Sequence, residues 1–216
     1  MQLKVIIADD HAIIREGLKS LLEKKGIMVL DIAKNGREAV EKAISLEPDI
    51  MMMDISMPDL NGMEATARIR QEVPHTRVIA LSMHSSKSII DKMFASGASG
   101  YILKESAFEE IYDAIQGVIR GNFYLTPSIA RMYVDDESIK GGNWNELPKF
   151  NKISNKEREI LQLVAEGEKT REIAEKLGVS IKTVETHRRN IMKKLSIFSV
   201  AGLTKYAIQE GIISLD

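Results

Sequence analysis

Asp9, Asp10, Asp54, Ser82 and Lys104 offer three carboxylates, a hydroxyl and an ammonium, and each stands at or just beyond the end of a short apolar run. Asp54 poses the sharpest question. It closes the run Ile50, Met51, Met52, Met53 between Pro48 and Pro58, where an unpaired ionised carboxylate is costly to bury. If the three carboxylates converge, they repel one another unless a cation shares them. Hard oxygen donors with open positions suit Mg2+, and Lys104 can offset part of the same charge.

The elements that position these groups are legible as alternation. Strand-like runs fall at 4–8 (KVIIA), 28–33 (MVLDIA), 49–54 (DIMMMD), 77–82 (RVIALS) and 100–104 (GYILK). The apolar runs suit buried parallel strands, which show little in-out alternation. Between them lie amphipathic stretches such as IIREGLKSLLEKKG, where Ile14, Leu18, Leu21 and Leu22 recur at helical spacing ahead of Gly26. Five βα units imply an α/β domain with a doubly wound five-stranded parallel sheet, in which functional groups gather beyond the carboxyl ends of the strands. That topology places the five polar residues on one edge. The methionine run reads as core, and His11 and His84 as local hydrogen-bonding residues.

After about Thr126 the alternation stops. TPSIARMYV suits a short helix, and DDESIKGGNWNELPKF is rich in turn formers and charge without periodicity, a linker signature. Trp144, the single tryptophan, reads there as an apolar patch docking the linker. From Ile153 the chain is helical without strand-like runs, and Ser154 with Glu157 fits a capping box. The division is 1–121 as an α/β domain, 122–150 as linker and 151–216 as a small all-α domain.

The net charge of -1 hides an asymmetry: residues 1–125 carry 15 Lys/Arg against 18 Asp/Glu, and residues 151–216 carry 12 against 9. An acidic site in one part and a polyanion-binding surface in the other fit this split. With no cysteine, disulfides and thiolate chemistry are excluded. No apolar stretch approaches the ~20 residues that span a bilayer. The N-terminus runs straight into a strand without the features of a signal peptide. A cytoplasmic protein without membrane association is the expectation.

In the elements ADDH, REGL, MMMDISMP, ALSMH and GYILK, by order and spacing, residues 1–121 resemble the receiver domain of bacterial two-component response regulators, a flavodoxin-like fold. The resemblance implies that Asp54 accepts a phosphoryl group from a sensor histidine kinase. It further implies that Asp10, Asp54 and the Ser56 carbonyl hold Mg2+, with Asp9 acting largely through water. Lys104 and Ser82 would meet phosphoryl oxygens, and Tyr101 would be an aromatic switch that follows Ser82 inward.

TREIAEKLGVSIKTVETHRRNIMKKL reads as helix, turn, helix. Ile173, Ala174 and Leu177 face inward on the first helix, Gly178 marks the turn, and Ser180 caps the second helix. On that second helix Val184, Ile191 and Leu195 form the apolar face, and Lys182, Arg188, Arg189, Lys193 and Lys194 are available for phosphates. With NKEREILQLVAEG before it and YAIQEGII after it, this part resembles the LuxR-type helix-turn-helix domain, and the whole chain a NarL/FixJ-class regulator. The resemblance implies double-stranded DNA as partner and a homodimer on phosphorylation or DNA binding. Glu185, Thr186 and Arg189 would face bases, and Lys182, Thr183, Arg188 and Lys193 the backbone. The family's Arg near the start of the last helix is absent from Ser199-Val200-Ala201, where Lys205 is a substitute, and Thr170 stands as a capping residue where the family has Asn.

The expectation is a phosphorylation-dependent transcription regulator and not an enzyme. An aspartyl-phosphate phosphatase also uses a strand-end Asp and Mg2+, but usually wants a second acid at the position of Ser56. A ligand-sensing regulator without phosphorylation is the other alternative, and the acidic cluster argues against it.

Overall fold

A computed structural model of the chain describes residues 2–134 and 153–213. Residues 135–150 of the expected 122–150 linker, with Trp144, lie outside the described residues.

The strands are β1 (Lys4–Ala8), β2 (Met28–Ala33), β3 (Ile50–Asp54), β4 (Arg77–Ser82), β5 (Gly100–Leu103) and β6 (Tyr124–Leu125), all parallel in the order β2-β1-β3-β4-β5-β6. Helices α1 (Ala12–Lys24), α2 (Gly36–Leu46), α3 (Gly62–Glu72), α4 (Lys87–Ala95) and α5 (Ala107–Ile119) alternate with the first five strands. Side chains along a strand alternate between faces, so β3 feeds two cores. Ile50 and Met52 pack with Leu18, Leu22, Ile111 and Ile115 on the side of α1 and α5. Met51 and Met53 pack with Met63, Ile69, Met93 and Phe94 on the side of α3 and α4. All four are fully buried, each stabilising the sheet by about 1.5–3 kcal/mol. The run is the rigid base on which Asp54 stands.

The sixth strand adds to the expected five. Tyr124 pairs with Gly100 and Leu125 with Tyr101, and the Thr126 N–H donates to the Tyr101 carbonyl at 3.1 Å. Helix α6 (Pro127–Val134) follows, burying Ile129 and Tyr133 in the α3/α4 core, with the Tyr133 hydroxyl on Asp91 Oδ1 at 2.9 Å. Residues 124–134, expected within the linker, are therefore bound to the α/β domain. Two strand residues are too short a run to stand out from a loop.

The second domain consists of α7 (Asn155–Ala165), α8 (Thr170–Leu177), α9 (Ile181–Leu195) and α10 (Val200–Gln209). Its core gathers Ile160, Leu161, Ile173, Val184, Ile191 and Leu203. The Ser154/Glu157 capping box forms, Gly178 adopts φ 63° at the end of α8, and Ser180 accepts the Thr183 N–H at the start of α9. Thr170 does not cap α8. It is the first helical residue, Lys169 precedes it as N-cap, and the Glu172 carboxylate accepts the Lys169 N–H at 2.7 Å. The Thr170 hydroxyl instead accepts from Arg188 at 2.8 Å.

Candidate functional site

The strand ends meet as the parallel topology requires. β1 and β3 are neighbours, as are β3 with β4 and β4 with β5, so the residues after their last positions converge. Asp9 is fully buried, Asp54 nearly so, and Asp10 partly exposed. A carboxylate oxygen from each, with an imidazole nitrogen of His11, lies within 4.8 Å of the others. Lys104 Nζ sits 2.9 Å from Asp9 Oδ2 and 2.8 Å from Asp54 Oδ2. His11 Nδ1 lies 2.7 Å from Asp10 Oδ1 and 3.2 Å from Asp9 Oδ1.

Burial, reinforced by the Asp9 carboxylate, pushes the Asp54 carboxyl up to about 6 despite the Lys104 ammonium. Burial disfavours the Lys104 charge, but Asp54 and Asp9 outweigh it and its ammonium is held upward of the ordinary range. One ammonium serves two buried carboxylates. Asp9 Oδ2 and Asp10 Oδ1 are buried, with only the Lys104 ammonium and the His11 ring close to them, and carboxylate oxygens gathered in this way fit a hard divalent cation. The structure thus brings together Asp9, Asp10, Asp54 and Lys104. Ser56 adjoins them, its N–H donating to Asp54 Oδ1 at 3.3 Å.

Ser82 Oγ accepts the His84 N–H at 3.0 Å, and the Tyr101 hydroxyl donates to the His84 carbonyl at 2.7 Å. Tyr101 is fully buried, and burial moves its hydroxyl to a higher pKa. The aromatic ring expected to move inward is inside in this structure. His84, read as a local hydrogen-bonding residue, links it to Ser82.

Two residues escaped the sequence reading. Arg15, on α1, is almost entirely buried and donates from Nη1 to the Asp9 carbonyl at 2.7 Å. The Asp9 N–H is tied to the Ala33 carbonyl at 3.1 Å, so Asp9 is clamped on both sides. The second is Gln162, on α7, which is fully buried against the α/β domain. Gln162 Oε1 accepts the Asn61 N–H at 2.8 Å and Asn61 Nδ2 at 3.1 Å, and Gln162 Nε2 donates to the Met57 carbonyl at 2.9 Å.

Charges extend this seam between domains. Glu159 Oε1 takes Arg37 at 2.5 Å and Oε2 takes Arg68 at 2.9 Å, Arg158 lies 3.3 Å from Glu64, and Lys176 lies 2.7 Å from Asp59. Lys92 of α4 pairs with Glu210 beyond α10. Burial opposes ionisation of Glu159, but Arg68, Lys156 and Arg37 win and hold its carboxyl below the ordinary range.

On α9, Lys182, Glu185, Thr186, Arg189 and Lys193 are exposed, and Thr183 and Arg188 are partly covered. Lys194, read as available for phosphates, is engaged by Glu157 Oε2 at 2.7 Å.

A parallel sheet with carboxylates and a lysine at its strand ends, joined to a helix-turn-helix, is the architecture of the two-component response regulators. The chain belongs to that family, in its NarL/FixJ class. Residues 5–116 match the response regulator receiver domain, and residues 151–207 match the bacterial regulatory proteins of the luxR family. It is a phosphorylation-dependent, DNA-binding transcription regulator by family.

Among individual proteins, it is 37% identical to the oxygen regulatory protein NreC of Staphylococcus carnosus, over 98% of this chain and 99% of that one. It is 36% identical to the transcriptional regulatory protein MctR of Rhizobium johnstonii, over 99% and 96%. A solved structure of the Salmonella typhimurium response regulator RcsB aligns with TM-score 0.65 at 27% identity, covering 97% of this chain and 98% of that one. Among the described residues, no helix is long and apolar enough to cross a membrane.

Proposed function

We propose that Asp54 is the phosphoryl acceptor and that its modification controls how the helix-turn-helix domain engages paired DNA half-sites. The observation that carries this is the position of Lys104, with its ammonium shared between two buried carboxylates at the carboxyl edge of the sheet. Such a preorganised cation offsets charge that develops in phosphoryl transfer.

In the transfer, an Asp54 carboxylate oxygen forms a bond to phosphorus as the bond from phosphorus to the donor nitrogen of a kinase histidine breaks. The electron pair stays with the departing imidazole, and an acyl phosphate remains on Asp54. Lys104 meets one phosphoryl oxygen, and the Ser82 hydroxyl donates to another after leaving the His84 N–H. Asp9, Asp10, Asp54 and the Ser56 carbonyl would hold Mg2+, which when bound neutralises negative charge on the phosphoryl oxygens. Because Ser56 stands where a phosphatase usually has an acid, the site acts as a stoichiometric acceptor and not as an enzyme of phosphate-ester turnover.

Glu185, Thr186 and Arg189 face the bases of double-stranded DNA, while Lys182, Thr183, Arg188 and Lys193 approach the backbone. A structure of RcsB from Salmonella enterica bound to promoter P1flhDC in the presence of the phosphomimetic BeF3-, similar with TM-score 0.61 and 27% identity, supports this reading. Phosphorylation loosens the seam around α7 and favours a homodimer in the cytoplasm.

The test is labelling from a small phosphodonor. Wild type takes up label, and Asp54→Asn takes up none while retaining weak DNA binding. Equal labelling of the two overturns the assignment.

A further inference from the structure

The loop from Ile55 to Asn61 leaves the acceptor site and returns to it. The α/β domain fixes three of its points. The Ile55 N–H donates to the Leu81 carbonyl at 3.2 Å, the Leu60 carbonyl accepts the Gly36 N–H at 3.0 Å, and the Ile55 carbonyl accepts the Gly62 N–H at 2.9 Å.

The same domain also holds the Ser56 N–H on Asp54 Oδ1 and the Asn61 Oδ1 on the Glu64 N–H, and the opposite domain takes hold of the loop at further atoms. Gln162 takes the Met57 carbonyl, the Asn61 N–H and the Asn61 side chain. Lys176 pairs with the Asp59 carboxylate at 2.7 Å. Gln162 is itself locked, because its Nε2 also donates to Glu166 Oε1 at 2.8 Å. A fully buried amide that uses both its oxygen and its nitrogen on one loop is strongly directional, since a buried amide left unsatisfied is costly.

Ser56 lies between these two sets of anchors. Its carbonyl belongs to the peptide joined to Met57, whose own carbonyl is the one that Gln162 holds. The Ser56 carbonyl is one of the oxygens that would hold a cation beside Asp54, so the grip of Gln162 on the Met57 carbonyl bears on the peptide next to it.

The geometry points to Gln162 as a positioning residue for the phosphoryl-acceptor site: through Met57 and Asn61, the DNA-binding domain holds the loop that carries Ser56 and so sets how readily the receiver takes up metal and phosphoryl group. The inference rests on Asp54 being the acceptor. It adds a direction of influence opposite to the usual one, from the DNA-binding domain to the reaction. Coupling between sites is reciprocal. If phosphorylation loosens the seam, then a looser seam makes the site easier to load.

The outward face of α9 is exposed while the seam is closed, so release of Gln162 leaves the affinity for a single half-site unchanged. A residue with a merely structural role would not separate these two readouts.

The experiment uses the full chain, acetyl phosphate as donor and Mg2+ as the titrant, with folding checked by thermal denaturation. Gln162→Ala removes the grip. Gln162→Glu keeps an acceptor for Asn61 but places negative charge against the Met57 carbonyl and Glu166. In both, the Mg2+ concentration for half-maximal labelling falls by about fivefold, labelling is faster at low Mg2+, and half-site DNA affinity matches wild type. Lys176→Met, which frees Glu168 within its own domain and, of the loop, releases only Asp59, shifts in the same direction by less, and decides the matter if the Gln162 variants do not fold.

A Mg2+ dependence equal to wild type, or weaker, overturns the coupling. So does a parallel change in half-site affinity. Asp54→Asn run alongside keeps the failures apart: label on that variant overturns the acceptor assignment, whereas a silent Asp54→Asn with unaltered Gln162 variants overturns only the role of Gln162.

Discussion

Lys104 Nζ lies 2.8 Å from Asp54 Oδ2, in a site where both side chains are more than nine-tenths buried. The same nitrogen reaches Asp9, so a single ammonium balances two carboxylates. Lys104→Met is expected to lower phosphoryl uptake by about 10²-fold, the scale on which a preorganised charge-stabilising group acts. Labelling rates at saturating Mg2+ measure this. A rate within twofold of wild type would remove Lys104 from the reaction.

Gly62 opens α3 where a Cβ would stand 2.0 Å from the Asp54 carbonyl oxygen. No side-chain rotation relieves a clash with backbone. Gly62→Ala is expected to destabilise the receiver by about 2–3 kcal/mol and to displace Asp54, so that labelling falls even below the unfolding temperature. Denaturant unfolding and labelling at 15 °C separate the two effects.

Glu159 anchors Arg37 and Arg68 across the seam, and its carboxyl is held below the ordinary range. A depressed carboxyl contributes stability that is present above its unfolded value of about 4.3 and is lost as pH falls through the folded value. Glu159→Gln is therefore expected to melt earlier than wild type at pH 7, by about 1–3 kcal/mol for charged hydrogen bonds. The gap narrows as pH drops below about 4.3. A gap that is constant from pH 7 to pH 3.5 would show that the charge is not what matters.

Arg189 and Lys193 are both exposed on α9 yet are expected to fail differently. Arg189→Ala costs about 1–3 kcal/mol on a preferred site and flattens the preference at the base it meets. Lys193→Ala weakens all sequences alike and reduces the slope of log affinity against log salt by about one. Binding to several duplexes at three salt concentrations distinguishes them.

The convergence of carboxylates and lysine at one sheet edge was legible because it is written in local terms. Each of Asp9, Asp54, Ser82 and Lys104 adjoins a run long enough to be read as a strand, and parallel topology sends all strand ends to one edge. The turn at Gly178 and the caps at Ser154 and Ser180 were legible for the same reason: helix termini are satisfied by residues a few positions away. Tyr124-Leu125 was not, since two residues carry no periodicity. Arg15 was not either, because a charged residue on the first turns of an amphipathic helix reads as solvated until its carbonyl partner is placed.

Gln162 and Glu159 mark the boundary most clearly. In the sequence they fall three apart on α7, and nothing around them distinguishes them from polar residues met by water. In the structure they face Asn61, Arg37 and Arg68, and both residues are buried. The sequence by itself determined the two domains, the acidic site and the basic helix, because strand runs, helical periodicity and caps are properties of neighbours along the chain. Only the tertiary structure decided which polar surface meets which. An amide or carboxylate satisfied by water and one satisfied by another domain are the same residue in the same helix, and the difference between them lies wholly in the approach of residues about 100 positions away.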